Sequence, residues 1–155
     1  MNKKLVIEKL SENNFENFAY LIKKLAEYED LTPPDKDAVN RLKKDGLSED
    51  NLFEAYLGRV NDTYVSYVIL FKTYSSFIAK PILYLEDIFV LEECRKKGIG
   101  QKMFDFCKNK AKEEGCGRMD WCVLDWNKPA INFYKKNKAI SIGETHYRLD
   151  EEKLK

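Results

Sequence analysis

The chain has 155 residues, 44% of them apolar and 13% aromatic, enough side-chain material for one core but not comfortably for two. Lys plus Arg number 27 and Asp plus Glu 26, so the formal charge is +1 and a dedicated nucleic-acid binder, with its clear basic excess, drops in rank. No apolar run approaches the roughly 18–20 residues needed to cross a bilayer, and the N-terminus reaches Glu8 after an apolar stretch too short for a signal peptide. We therefore expect one domain over residues 1–155, in the cytoplasm, partnered by neither membrane nor nucleic acid. Cys94, Cys107, Cys116 and Cys122 lie 13, 9 and 6 residues apart, so no CxxC pair exists for zinc or redox work. Free thiols and no metal site are the expectation.

Leu5–Leu10 reads as a strand. Phe15, Phe18, Ala19, Ile22, Leu25 and Ala26 then recur at helical spacing, with Asn13 and Glu16 as a candidate capping box and Pro33-Pro34 as the stop. A short helix is predicted from about Asp35 to Asp45, ended by Gly46. Phe53–Val60 and Thr63–Tyr74, separated by Asn61-Asp62, form a predicted hairpin. Ile82–Val90 is a further strand. An amphipathic helix opens near Gly98, buries Ile99, Met103, Phe106 and Cys107, and stops at Gly115-Cys116-Gly117. A strand over Arg118–Asp125, a helix over Pro129–Lys136 with proline in its first turn, and a last strand over Thr145–Asp150 complete the pattern. Strands alternating with helices around an internal hairpin indicate a mixed α/β sheet.

The chemistry is concentrated where the strand Leu83–Val90 feeds a basic loop and then a helix start, Arg95-Lys96-Lys97-Gly98-Ile99-Gly100. Glycines let a ligand approach the backbone, and the first amides of a helix have no helical acceptor, so this is an anion site suited to phosphates. The GxxxxGK[ST] pattern of one nucleotide-binding class is absent. The GxGxxG fingerprint fails too, because Met103 stands at the third glycine. The pattern [RQ]xxGxG is met by Arg95, Gly98 and Gly100.

That loop resembles the pyrophosphate loop of the GNAT superfamily of acetyl-CoA-dependent N-acetyltransferases. Trp126-Asn127-Lys128-Pro129-Ala130-Ile131-Asn132-Phe133-Tyr134 is similar to the family's second cofactor segment. Taken with Leu83–Val90, Leu25–Glu29 and Tyr147-Arg148-Leu149, the set looks closest to the spermidine/spermine (diamine) N-acetyltransferase branch, which includes thialysine-acetylating relatives. The branch usually has a glycine after the Asn-Phe-Tyr helix. Here Asn137 is the expected left-handed cap, while Asp120 and Lys128 depart from the polyamine enzymes and bear on substrate choice.

The resemblance implies a central, mixed, mostly antiparallel sheet flanked by helices, with acetyl-CoA as cofactor and a homodimer as the assembly. It implies that Tyr134 protonates the coenzyme A thiolate, a role suited to a phenol of pKa near 10. Glu86 would bind the acceptor amine and help remove its proton through water. Alternation places Tyr84, Glu86 and Ile88 on one face and Leu85, Asp87 and Phe89 on the other. A pair of carboxylates within an apolar strand calls for a partner or ligand; the plainer alternative is charges facing solvent on an edge strand. The implied cofactor contacts are Ile88, Phe89 and Val90, then Arg95, Lys96, Lys97, Gly98, Ile99, Gly100 and Gln101. Asn127, Lys128, Pro129, Ala130, Asn132, Tyr134 and Asn137 complete them. The implied substrate contacts are Tyr28, Glu29, Glu86, Asp87, Asp120, Trp121 and Cys122. The expected reaction is acetyl transfer to a primary amine of a polyamine by direct attack in a ternary complex. Thialysine, another small amine, a protein lysine, or a catalytically silent acyl-CoA-binding module are the alternatives.

Overall fold

Apolar alternation and tight turns build a five-stranded sheet. The computed structural model describes residues 4–155 and divides into two units, one reaching to Trp121 and one running from Cys122 to Lys155. In the first unit the strands are β1 (Leu5–Lys9), β2 (Glu54–Val60), β3 (Thr63–Ser75), β4 (Lys80–Val90) and β5 (Arg118–Asp120). The spatial order is β1-β2-β3-β4-β5; the first three pairings are antiparallel and β4 with β5 is parallel. The expected mixed, mostly antiparallel sheet is therefore present.

Helices α1 (Phe15–Tyr28) and α2 (Lys36–Leu47) precede the hairpin, and α3 (Ile99–Glu113) follows β4. On one sheet face Phe18 of α1 packs edge-on against Tyr67 of β3, with ring centres 5.4 Å apart. On the other face Met103 and Cys107 of α3 are fully buried. Burying side chains of this size contributes roughly 1.5–3 kcal/mol each. Cys107 accordingly behaves as a core residue, its thiol pushed up to about 12 by burial.

The structure corrects several local expectations. Helix α1 is capped by Asn14, one residue later than the Asn13–Glu16 box. The buried Asn14 side chain instead knits the entry loop, accepting from Ser11 N at 2.8 Å and donating to Lys9 O at 3.1 Å. The helix ends before the prolines, because Asp30 takes a left-handed φ of 54° and Leu31 N donates back to Ala26 O. Gly46 lies inside α2 rather than after it. A Cβ there would fall 2.7 Å from the Phe53 ring, so its smallness serves packing. Along α3 the buried face includes Phe104, while Phe106 is half-buried against Tyr56 at 4.7 Å between ring centres. Gly115 does stop α3: its φ is 69°, and Cys116 N reaches Ala111 O.

The β3–β4 ladder carries the correction that matters most for function. Ile69 pairs with Asp87, but the next residue, Leu70, pairs with Leu85, so Glu86 is the extra residue of a β-bulge. Strict alternation therefore breaks at Glu86. Asp87 and Phe89 share a face with Tyr84 and Ile82, while Leu85 shares the opposite face with Ile88 and Val90. The predicted grouping of Leu85 with Asp87 is overturned. Strand β5 also ends early, at Asp120 rather than Asp125; its last pairing, Tyr84 with Asp120, comes just before the bulge bends β4.

The second unit contains α4 (Lys128–Lys136), capped by the Asn127 side chain, which accepts from Ala130 N at 3.3 Å. Asn137 is not the left-handed residue. Its φ is −82°, its side chain donates to Phe133 O, and Lys138 takes the left-handed turn at φ 62°. The predicted strand Thr145–Asp150 is absent. It pairs with no strand among the described residues, and an isolated strand has nothing to satisfy its backbone.

Candidate active site

Beyond Tyr84, β5 no longer runs beside β4, so among the described residues Leu85–Val90 have no strand neighbour on that side. Leu91 N donates to Val65 O at 2.9 Å. In an antiparallel ladder the direction of the backbone bonds alternates, so the N–H and C=O groups of Ile88 and Val90 point away from β3 toward this edge. Their neighbour Phe89 turns its ring to the opposite task, packing near Tyr67 and Tyr28 with ring centres 6.2 and 6.5 Å away.

The chain then makes a short 3-10 turn, Glu92–Cys94, and enters the basic loop. Lys96 and Gly98 both take left-handed φ values, 59° and 79°. These two turns aim the start of α3. Its first internal bond is Lys102 N to Gly98 O, and no side chain caps the helix. The amides of Ile99 and Gly100 consequently lack helical acceptors. A Cβ on Gly98 would meet nothing within 4 Å, so open space lies at the helix start, and the positive φ is what requires glycine there.

Arg95 is placed differently from a free phosphate ligand. Its Nε donates to Val90 O at 2.9 Å, and its guanidinium lies over the Tyr28 ring at 4.3 Å and the Phe89 ring at 5.5 Å. Arg95 thus fastens the end of α1 to the end of β4. Lys96 and Lys97 are exposed, with Lys97 Nζ on Glu93 O at 2.8 Å.

Across the sheet from α3, an open cleft of about 550 Å³ is lined by Ile22, Pro34, Ala38, Leu42, Leu52, Phe53, Ile69 and Phe71, with Glu86 and Asp87 as its acids. Its size suits a small molecule. The bulge leaves Glu86 exposed at the cleft, while Asp87 is half-buried. The fully buried Tyr67 donates its hydroxyl to Asp87 Oδ2 at 3.0 Å. Withdrawal from water is the main reason the Asp87 carboxyl is pushed up to about 6. The Tyr67 hydrogen bond opposes that shift, and the charges of Glu86 and Glu29 add to it. Glu29, the C-cap of α1, is itself raised by burial. The charges of Glu86 and Glu29 thus both reach Asp87, and such a grouping favours a cation.

Of the remaining predicted substrate contacts, Asp120 lies beside Tyr84, on the face that carries Asp87. Both its oxygens accept from Arg118 Nε at 3.0 Å. The Trp121 ring meets Phe104 of α3 edge-on at 5.5 Å, on the face opposite the cleft. Sequence reasoning missed Tyr67, because only the β3–β4 register reveals which hydroxyl faces Asp87. In the second unit Cys122 is exposed, Tyr134 is half-buried beside Phe133, and Asn127, Ala130, Tyr134 and Asn137 recur at helical spacing along one stripe of α4.

Comparison with known proteins identifies the family. Residues 16–138 match the acetyltransferase (GNAT) family. The chain is 32% identical over 148 residues to the thialysine N-epsilon-acetyltransferase of Sus scrofa, covering 90% of this chain and 86% of that one. It is 29% identical over 145 residues to the spermidine/spermine N(1)-acetyltransferase-like protein 1 of Homo sapiens, covering 86% of this chain and 21% of that one. Among solved structures, an aminoglycoside N-acetyltransferase in complex with CoA has the same fold, with a TM-score of 0.78 at 15% identity over 96% of this chain and 95% of that one. The chain thus belongs to the GNAT family of acetyl-CoA-dependent N-acetyltransferases.

Proposed function

We propose that the acceptor is a primary amine of a polyamine such as spermidine or spermine, acetylated by direct attack within a ternary complex. The observation that carries this reading is the cleft itself: apolar walls ending in Glu86 and Asp87, with no cation among its described lining residues. A methylene chain gains about 0.8 kcal/mol per buried CH₂ against such walls, and its ammonium groups meet the acids. An acceptor carrying its own carboxylate would bring that charge against the same acids.

Glu86, exposed at the bulge, is open to water and suited to relay the amine's proton outward. A typical alkylammonium has a pKa near 10, so that proton must leave before attack. Asp87, Glu29 and Tyr28 hold the cationic acceptor, with Asp120, Trp121 and Cys122 as further substrate contacts. Tyr134 protonates the departing sulfur. The pantetheine amides pair with Ile88 and Val90 beside Phe89. The pyrophosphate sits on the amides of the Arg95–Gln101 loop, and residues 127–137 supply the remaining cofactor contacts.

The family match crosses both units, which supports residues 1–155 as one acetyltransferase domain. A cytoplasmic homodimer belongs to the same reading. Ile140, Ile142, Tyr147 and Leu149 are all exposed and offer apolar surface to a second copy.

A second reading, thialysine as acceptor, is favoured by the 32% identical relative. Thiol release with spermidine, spermine, thialysine and a neutral-tailed amine decides between them. The highest kcat/KM is expected with a polyamine. Thialysine in first place would establish the second reading, and no release with any amine would overturn both.

A further inference from the structure

Tyr67 is fully buried and does not itself line the cleft, but its hydroxyl is bonded to Asp87, which does. Tyr67 lies on the sheet face of Ile69 and Phe71, and the bulge at Glu86 brings Asp87 onto that same face. Were alternation unbroken through Glu86, Asp87 and Leu85 would share one face. Phe18 and Phe89 pack near the Tyr67 ring at 5.4 and 6.2 Å between centres, so the phenol has little freedom to turn away.

We propose that Tyr67 is a positioning residue of the acceptor site: its hydroxyl, held on Asp87 Oδ2 at 3.0 Å, fixes the Asp87 carboxylate so that Oδ1 is presented to the acceptor's ammonium group. The proposal rests on the reading of the cleft as a site for a cationic amine. The titratable groups acting on Asp87 are Tyr67 from β3, Glu86 from β4 and Glu29 from α1. The α2 residues on the cleft, Ala38 and Leu42, carry no charge. Among the three neighbours, only Tyr67 supplies a donor. It offsets repulsion from two acids and keeps Asp87 ionised further into the acid range than burial alone would allow.

A structural role in packing and a positioning role make different demands. Tyr67→Phe retains the ring that Phe18 and Phe89 touch and removes only the donor. Carbon-13 NMR of the Asp87 carboxyl is the direct readout. Its titration midpoint, about 6 in the parent chain, is expected to rise in Tyr67→Phe. With spermidine as substrate, kcat/KM is expected to fall about 10-fold, mostly through KM, the size of a lost hydrogen bond to a charged group. The acid limb of the profile should move up with the midpoint. An unchanged midpoint and an unchanged KM in a folded Tyr67→Phe protein would overturn the proposal.

The parent chain offers a second measurement, needed if that variant does not fold. The Tyr67 ring carbon bearing the hydroxyl should report the Asp87 titration between pH 4 and 8, and a flat response would also overturn the proposal. Added spermidine should lower the Asp87 midpoint. If Tyr67 and Asp87 titrate together while spermidine neither shifts Asp87 nor is acetylated, the polyamine reading fails, and with it the role toward the acceptor, while the Tyr67–Asp87 linkage stands.

Discussion

The edge of β4 with its following loop and the cleft on the other side of the sheet are built from different materials. The edge consists of backbone: the outward groups of Ile88 and Val90, the left-handed turns at Lys96 and Gly98, and the uncapped amides that open α3. The cleft consists of side chains: apolar walls and the carboxylates of Glu86 and Asp87, with the charge of Glu29 reaching Asp87. A site made of backbone is set by chain geometry, so it tolerates side-chain loss and fails when a dihedral is forbidden. A site made of carboxylates fails one charge at a time and answers to pH and salt. This suits a cofactor that stays the same and an acceptor that must be selected.

Tyr134, on α4, is assigned a proton-transfer role, so its loss should appear in turnover more than in cofactor affinity. Tyr134→Phe is expected to lower kcat by about 10²–10⁴-fold, the usual effect of removing a general acid. Coenzyme A affinity, measured by calorimetry, should fall far less than kcat. A kcat within twofold of the parent would assign the proton to water or another group.

The backbone region breaks at Gly98. Gly98→Val forces a branched residue to φ 79° and fills the open space at the helix start. We expect coenzyme A affinity to fall by more than about 10-fold, with a strain cost of about 1–3 kcal/mol visible in the melting temperature. Gly100→Ala places a Cβ at an ordinary 3.7 Å from Val90, so the fold should be kept while the anion's approach is hindered. Lys96→Ala and Lys97→Ala should change affinity less than about threefold, because exposed ion pairs contribute only about 0–1 kcal/mol. Unchanged affinity in folded Gly98→Val would remove this loop from the cofactor site.

The cleft carries a conflict between binding and stability. Burial raises the folded-state pKa of Asp87 from 3.8 to about 6, so the folded chain binds this proton more tightly than the unfolded chain. The associated stabilisation is fully present below about pH 4 and is lost as the pH rises through 6. Asp87→Asn should therefore melt higher than the parent at pH 8 and show no such advantage at pH 3.5, while its kcat/KM for polyamines falls. Equal melting temperatures at pH 8 would mean that Asp87 ionises in the fold at no penalty.

The smallest expected effect lies at Ser66 of β3, the ladder partner of Val90. The Ser66 hydroxyl is buried without a hydrogen-bond partner among the described residues. Ser66→Ala should add about 1 kcal/mol of stability in urea unfolding, since an orphaned buried hydroxyl is a net cost. A loss of stability would show that the hydroxyl is satisfied in solution.

What the sequence made legible follows the same division. The hairpin, the strand before the loop and the helix opening at Gly98 were readable because their signals are local: alternation, a turn and a glycine of positive φ. The grouping of Asp87 with Leu85 was wrong because a bulge is a property of two strands in register, and alternation along one strand does not report it. Tyr67 was missed for that reason as well. Asparagine favours the left-handed conformation, which makes Asn137 the expected residue, but its side chain is occupied with Phe133 O and the turn falls to Lys138. The strand expected over residues 145–150 finds no neighbouring strand in the described chain to pair with.

The most direct test of the carboxylate cleft is the ratio of kcat/KM for spermidine to that for a neutral-tailed amine of equal length, measured at low and high salt in the parent chain and in Glu29→Gln. Glu29 is among the acids whose charge reaches Asp87, so it is the mildest way to weaken the cluster. We expect a ratio above about 10 at low salt, reduced by screening at high salt and reduced again in Glu29→Gln, with coenzyme A affinity unchanged. A ratio near one that ignores both salt and Glu29 would show that the acids do not select the acceptor.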